Sequence, residues 1–69
     1  MKYLKLTDLN GKTVLVNMEK ITEVYTDDKY IQELNDEVRV TSLVSTMGRY
    51  YEQFVKETPE EIWEMLNKE

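Results

Sequence analysis

The chain has 69 residues, no Cys, no His and a formal net charge of −5 at pH 7. A chain this short forms a single small domain, residues 1–69, and buries only about 60% of its unfolded surface. The absence of Cys excludes disulfide and thiolate chemistry, and the absence of His removes the commonest general base and transition-metal ligand. We therefore expect no enzyme, no catalytic residues and no cofactor.

The charge is unevenly distributed along the chain. Residues 1–20 carry four Lys against Asp8 and Glu19, whereas residues 21–69 carry five basic and twelve acidic side chains. An acidic chain is a poor candidate for binding the phosphate backbone of nucleic acids, which takes clustered Lys and Arg. We therefore expect no direct nucleic-acid partner, and we interpret the negative charge mainly as a source of solubility.

The hydropathy pattern predicts a cytoplasmic protein without a membrane partner. The N-terminal residues contain no apolar segment of the kind found in secretory signals, and no apolar run approaches the roughly 20 residues of a membrane span.

Two short strands are predicted at the N-terminus. Residues 3–7 alternate between apolar and polar side chains, which is typical of a half-buried strand. Residues 13–17 return as a second strand, with Val14 and Val16 on one face and Leu15 on the other. Asn10-Gly11 between them predicts a hairpin turn, because both residues tolerate positive φ. Asn17 is suited to start a single helical turn over residues 17–20.

Residues 21–56 predict three strands, and the segment between the first and the second of these strands fits several structures. Residues 21–26 predict a third strand, and Asp27-Asp28-Lys29 predicts a turn. Residues 30–34 fit a strand, one turn of helix, or an extension of the third strand past a bulge. Residues 35–36 are typical of a turn. Residues 37–46 are β-branched and alternating and predict a strand, and residues 50–56 predict the last strand after a turn at 47–49.

The C-terminal segment carries the sharpest local signal, a helix start at Thr58. Thr58 is a good N-cap, Pro59 suits the first helical position, and Glu61 completes a capping box. The helix is predicted from about residue 59 to residue 67 or 68. Ile62, Met65 and Leu66 share its apolar face, which Trp63 widens.

These elements predict an α+β fold: a small, curved antiparallel β-meander of about five strands with one C-terminal α-helix packed on it. Residues 13–17 and 50–56 are apolar on both faces, which indicates a sheet that curls or has two covered sides. The helix covers one side. We expect a second subunit to cover the other, in a homo-oligomer of two or more copies.

Three segments resemble the small flagellar-associated FlbD/SwrD family and its short relatives in bacteria and phages. Residues 6–12 resemble the opening strand and hairpin of that family, and residues 16–21 are similar to the loop that follows. Residues 48–51 and 54–62 resemble the closing strand, the capped junction and the helix. Together they cover about half of the chain.

The stretch between residues 21 and 48 departs from the family, because this chain inserts residues around 30–36. The departure favours a phage or mobile-element relative over a flagellar protein. The resemblance implies an accessory protein without assigned chemistry.

Two acidic pairs flank the middle segment and raise the question of a metal site: Asp27, Asp28, Asp36 and Glu37. A hard cation takes several oxygens from one spaced loop, usually with Gly at the bend. This stretch has neither the spacing nor the Gly, so the pairs are interpreted as solvated turn residues and no metal is expected.

The candidate binding residues are Arg39, Arg49, Tyr50, Tyr51 and Trp63. Two Arg and two Tyr are suited to stack on and neutralise a nucleotide, and Arg39 is expected near Tyr51 or Gln53 if their strands pair. The alternative is an Arg at a turn and ordinary strand aromatics. Trp63 is either a core residue or an anchor in a dimer or partner interface.

We therefore expect a non-enzymatic interaction protein, derived from a phage or mobile element, that self-associates and binds a host or phage protein. One alternative is an oligomeric binder, or sponge, for a nucleotide signal in counter-defence. Another is an acidic mimic of nucleic acid, which would present its C-terminal acids as a row: Glu57, Glu60, Glu61 and Glu64.

Overall fold

The structure is a computed structural model, and it describes residues 2–46 and 51–68. Within these residues it contains five β-strands, one short 3-10 turn and one α-helix, which confirms the α+β fold expected from the sequence. The elements in chain order are β1 (Tyr3–Thr7), β2 (Thr13–Asn17), a 3-10 turn (Met18–Lys20), β3 (Glu23–Ile31), β4 (Asp36–Ser45), β5 (Tyr51–Val55) and α1 (Pro59–Leu66).

The first hairpin forms where the sequence predicts it. β1 and β2 pair antiparallel, and Thr7 lies opposite Thr13 at the closed end. In the loop, the Asp8 carboxylate accepts hydrogen bonds from the backbone N–H groups of Asn10 and Lys12, both at 2.9 Å. Gly11 has a φ of +86°, a conformation that suits a residue without Cβ. Asn10 does not take a positive φ. Of the two residues expected to tolerate positive φ in this turn, only Gly11 adopts it.

The 3-10 turn after β2 begins at Asn17, as predicted. The Asn17 side chain accepts a hydrogen bond from the backbone N–H of Glu19 at 3.1 Å, which satisfies one of the unpaired donors of the first turn.

The second sheet has the order β3-β4-β5, with both pairs antiparallel. The turn predicted at Asp27-Asp28-Lys29 is wrong, because these three residues continue β3 and face Val40, Arg39 and Val38 of β4. The register runs without interruption to the pair Ile31 and Asp36. Of the three alternatives for residues 30–34, the extension of the third strand is correct for residues 30 and 31, without a bulge, whereas residues 32–34 belong to the turn that joins β3 to β4.

The predicted meander is divided into two small sheets that meet at one corner. An isolated antiparallel bridge joins Asp8 to Val55, and the backbone N–H of Lys56 donates to the carbonyl of Thr7 at 2.8 Å. The corner folds the first hairpin over the three-stranded sheet, so that the inner face of each sheet is covered.

The hydrophobic core lies between the two sheets and the helix. Its fully buried members are Leu6, Val16, Leu43, Val55 and Ile62. Each such side chain stabilises the fold by roughly 1.5 to 3 kcal/mol relative to full exposure. β4 is the central strand and is buried on both faces over residues 40–45.

Helix α1 has the predicted capping box. The Thr58 hydroxyl accepts from the backbone N–H of Glu61 at 3.1 Å, and the Glu61 carboxylate accepts from the backbone N–H of Thr58 at 2.9 Å. The helix ends at Leu66, slightly earlier than predicted, and Ile62 fixes it to the core. The core interpretation of Trp63 is wrong, because 68% of this residue is exposed. No helix within the described ranges is long and apolar enough to span a bilayer.

Candidate functional site

A surface groove opens beside the free side of β2. It has a volume of about 290 Å³. Strand β2, the 3-10 turn, the end of β4 and the start of β5 supply its walls: Leu15, Val16, Asn17, Lys20, Ile21, Ser45 and Tyr51. We refer to this surface as the groove.

The groove stays open because β2 is the last strand of its sheet. In the described part of the chain, β2 pairs with β1 and with no other strand. Val16 points into the core, so its neighbour Leu15 must point outward, and Leu15 is 65% exposed. Tyr51, at the start of β5, is also exposed. An edge strand with exposed apolar side chains is a surface suited to pairing or docking.

Cationic side chains lie around the groove. Lys20 lines it directly, and Lys5 lies opposite Leu15 on the outer face of the first hairpin. Both lysines are exposed and belong to the N-terminal segment with excess positive charge. The groove therefore combines largely apolar walls with two exposed lysines, and Glu19 beside Lys20 in the same 3-10 turn is an exposed acid.

The second notable feature is a two-stranded extension of the β3–β4 hairpin, residues 27–40, which we call the arm. The ladder between β4 and β5 begins at the pair Thr41 and Val55, so the arm lies beyond β5. Arg39 and Asp28 form an ion pair across it, with Nε and Oδ1 at 3.3 Å. Lys29 lies over the ring of Phe54, with Nζ 4.4 Å from the centroid, and this contact braces the base of the arm against β5.

The turn at the end of the arm, residues 32–35, is the tip. The Leu34 N–H donates to the carbonyl of Ile31, and the Asn35 N–H donates to the carbonyl of Gln32, each at 3.1 Å. Asn35 has a φ of 53°, and its side-chain oxygen accepts a hydrogen bond from the Tyr30 hydroxyl. Leu34 is nevertheless 63% exposed. The tip is an ordered turn that presents a leucine to solvent.

The predicted nucleotide-binding set is only partly described by the structure. Arg49 and Tyr50 lie outside the described residues. Tyr51 pairs with Ser45 at one end of the three-stranded sheet, and Arg39 pairs with Asp28 in the arm. Six residues of β4 separate Arg39 from Ser45, which corresponds to about 20 Å along the strand. The structure therefore does not bring Arg39 beside Tyr51.

Arg39 does not approach Gln53 either. Gln53 faces Leu43, four residues along β4 from Arg39, and its side-chain oxygen accepts a hydrogen bond from the Tyr51 hydroxyl at 2.9 Å. Among the described members of the predicted set, Tyr51 is the one that lines the groove.

Trp63 belongs to a separate apolar surface on α1. A cavity of about 240 Å³ is lined by Val24, Pro59, Ile62, Trp63 and Leu66. Glu60 and Glu64 of the same helix are exposed, so this surface lies beside negative charge. The position of Trp63 fits the interface alternative that the sequence left open.

Two of the four C-terminal acids are engaged within the fold. The Glu57 carboxylate accepts hydrogen bonds from both the N–H and the hydroxyl of Thr7 at 2.9 Å, and Glu61 belongs to the capping box. The four C-terminal acids therefore do not form an evenly exposed row. No group of three metal-ligating side chains comes together among the residues described.

Sequence reasoning did not single out Leu15, Ile21 or Leu34 as surface residues. The apolar character of both faces of residues 13–17 was the available signal for Leu15. For Leu34 no signal existed, since the conformation of its segment depends on how far β3 and β4 extend. Comparison of the chain with models of protein families, with curated proteins and with solved structures gives no match.

Proposed function

We propose that this chain is a small, non-enzymatic interaction protein that self-associates and binds a further protein. The observation that carries the proposal is the groove, where Leu15, Ile21 and Tyr51 form an apolar surface next to an edge of β2 that no other described strand pairs with. Contiguous apolar surface beside an open edge favours association over isolation in solution.

The size of the domain supports this proposal. The hydrophobic core contains few fully buried side chains, and three large apolar residues on separate elements are more than 60% exposed: Leu15, Leu34 and Trp63. A small domain gains stability when a second copy covers such residues, because binding to the folded state adds to its free energy of unfolding. Because these apolar residues lie on separate surfaces, one surface can contact a second copy of the chain while another binds a different protein.

The resemblance of residues 6–12, 16–21, 48–51 and 54–62 to FlbD/SwrD-like proteins supports an accessory role. Under this proposal, the protein acts in the cytoplasm and derives from a phage or mobile element. The long arm is the part of the chain that departs from the family pattern, so we place the function specific to this chain there and at the groove.

Light scattering coupled to size-exclusion chromatography tests self-association. We expect the wild-type chain to elute as a dimer or larger species at micromolar concentration, and the Leu15→Ser variant to shift toward the monomer. Thr13→Ser is the matched control, because Thr13 is an exposed residue of the same strand that does not line the groove. A wild-type monomer at all concentrations up to about 1 mM would contradict the proposal.

A second candidate function is the binding of a nucleotide signal. The observation that favours it is that Tyr51 and Lys20 line the same groove, where an aromatic ring and a cation lie within one site. The groove volume is at the small end of the range for ligand sites, about 300 to 1,000 Å³. We expect a thermal shift with nucleotides or cyclic dinucleotides that Tyr51→Ala abolishes. No shift across such a panel removes this candidate.

A further inference from the structure

We propose that the tip of the arm of one copy docks into the groove of a second copy, with Leu34 as the apolar anchor. This inference deepens the self-association proposed above and rests on it. It names the two surfaces that meet and the residues that determine the pairing.

The tip has the properties of a preformed anchor. Its turn is held by two backbone hydrogen bonds and by the hydrogen bond between Tyr30 and Asn35, so little conformational entropy remains to be lost on docking. Leu34 is 63% exposed although the turn around it is ordered. Covering this leucine on docking would gain the transfer free energy of its side chain without a further cost for ordering the turn.

Charge complementarity assigns the groove as the docking surface. The arm carries five acidic side chains, Asp27, Asp28, Glu33, Asp36 and Glu37, against two cations, Lys29 and Arg39. The groove is lined by Lys20 and flanked by Lys5, which lies opposite Leu15. An acidic arm is therefore attracted to the surroundings of the groove, and complementary charge fixes the orientation of the encounter.

The apolar surface of α1 is the competing place for the tip, and its charge is unfavourable. Trp63 and its neighbours lie beside Glu60 and Glu64, which repel Glu33 and Asp36 of an approaching arm. Like charges across an interface suppress the wrong pairing. The charge of the arm thus selects the groove and leaves the helix surface available to a different partner.

Each copy carries one tip and one groove, and these are different surfaces. The contact is therefore heterologous unless two copies exchange tips reciprocally. In either arrangement a variant with a defective tip retains an intact groove, and a variant with a defective groove retains an intact tip. This property gives a complementation test.

The tip variant is Leu34→Ser, with Gln32→Ser as its matched control on the same turn. The groove variant is Leu15→Ser, which removes the apolar side chain without changing the charge of the groove. We expect each of Leu34→Ser and Leu15→Ser to weaken self-association at least about tenfold in sedimentation velocity. We expect Gln32→Ser to leave it within about threefold. An equimolar mixture of Leu34→Ser and Leu15→Ser is expected to form one-to-one pairs, because one intact tip meets one intact groove.

Cross-linking gives a second measurement that does not depend on loss of association. The chain has no native Cys, so single cysteines report on one contact at a time. We expect a mixture of Leu34→Cys and Leu15→Cys to form a mixed disulfide on mild oxidation. A mixture of Leu34→Cys and Trp63→Cys is the control and is expected to form much less, because the helix surface is not the docking place.

The outcomes separate this inference from the broader proposal. Self-association of Leu34→Ser alone that is as tight as that of the wild-type chain, or a mixed disulfide that favours Trp63→Cys, would overturn the tip–groove contact and leave self-association in place. A wild-type chain that is monomeric at all concentrations would overturn both. Urea unfolding of each variant confirms that the substitution leaves the fold intact.

Discussion

Thr7 and Glu57 lie fifty residues apart in the sequence and are joined by two hydrogen bonds. The N–H of Thr7 donates to one oxygen of the Glu57 carboxylate and its hydroxyl donates to the other, each at 2.9 Å. The contact ties the end of β1 to the segment between β5 and α1, beside the corner where the two sheets meet. Glu57 thereby connects the first hairpin to the rest of the fold.

Replacement of Glu57 by Ala is expected to lower the free energy of unfolding by about 1 to 2 kcal/mol, since it removes two hydrogen bonds to a partly buried carboxylate. Glu64→Ala is the control, because Glu64 is an exposed acid in α1 and its loss is expected to matter by less than about 0.5 kcal/mol. Urea unfolding followed by circular dichroism measures both. Equal stability of the two variants would show that the corner does not depend on Glu57.

The capping box at the start of α1 predicts a difference between two substitutions of Thr58. Thr58→Ala removes the hydroxyl that accepts from Glu61 and is expected to lower stability by about 1 kcal/mol. Thr58→Ser retains the hydroxyl and is expected to stay close to wild type. Thermal unfolding of the two variants side by side checks this, and an Ala variant as stable as the Ser variant would contradict it.

Ile62 and Trp63 are neighbours in α1 with opposite environments. Ile62 is 2% exposed and Trp63 is 68% exposed. Ile62→Ala is expected to cost about 2 to 5 kcal/mol, because it leaves a cavity in the core. Trp63→Ala is expected to lower the free energy of unfolding of the monomer by less than about 1 kcal/mol, because most of the Trp63 side chain is exposed and little buried surface is lost. The measurement is urea unfolding followed by circular dichroism at low protein concentration. If Trp63→Ala lowers the free energy of unfolding more than Ile62→Ala does, Trp63 is part of the core and this prediction is wrong.

At position 35 in the tip, Gly is expected to give a more stable protein than Ala, which is the reverse of their usual order. Asn35 has a φ of 53°, a region that Gly adopts without strain and Ala does not. Both Asn35→Ala and Asn35→Gly lose the hydrogen bond from Tyr30, so their difference isolates the backbone. We expect Asn35→Gly to be more stable than Asn35→Ala by about 1 kcal/mol in hydrogen exchange of the arm. An Ala variant with the slower exchange would contradict this conformation.

Local signals in the sequence predicted the parts of the fold that depend on few residues. The alternation in residues 3–7, the Gly11 turn and the Thr58 capping box each determine their element from within. The middle of the chain could not be predicted in this way. Asp27 and Asp28 favour a turn by themselves, but pairing with β4 and the ion pair to Arg39 keep them in an extended strand.

The surfaces of the protein were also beyond sequence reasoning. The helical spacing places Trp63 at the margin of the apolar face, and only the packing of α1 on the sheets decides which side of that margin is covered. The groove is formed by β2, the 3-10 turn, β4 and β5 together, so it depends on how the two sheets meet. The proximity of Arg39 and Tyr51 was expected on the assumption that their strands pair at those positions, and the register places them apart.

The central claim is that the chain self-associates, and a dilution series in sedimentation velocity tests it most directly. From about 1 µM to 500 µM of the wild-type chain, we predict a weight-average mass that rises from that of one 69-residue chain to at least twice that value. The Leu15→Ser variant is predicted to remain near the mass of one chain over most of the same range. A constant monomer mass for the wild type across the whole series would contradict the account.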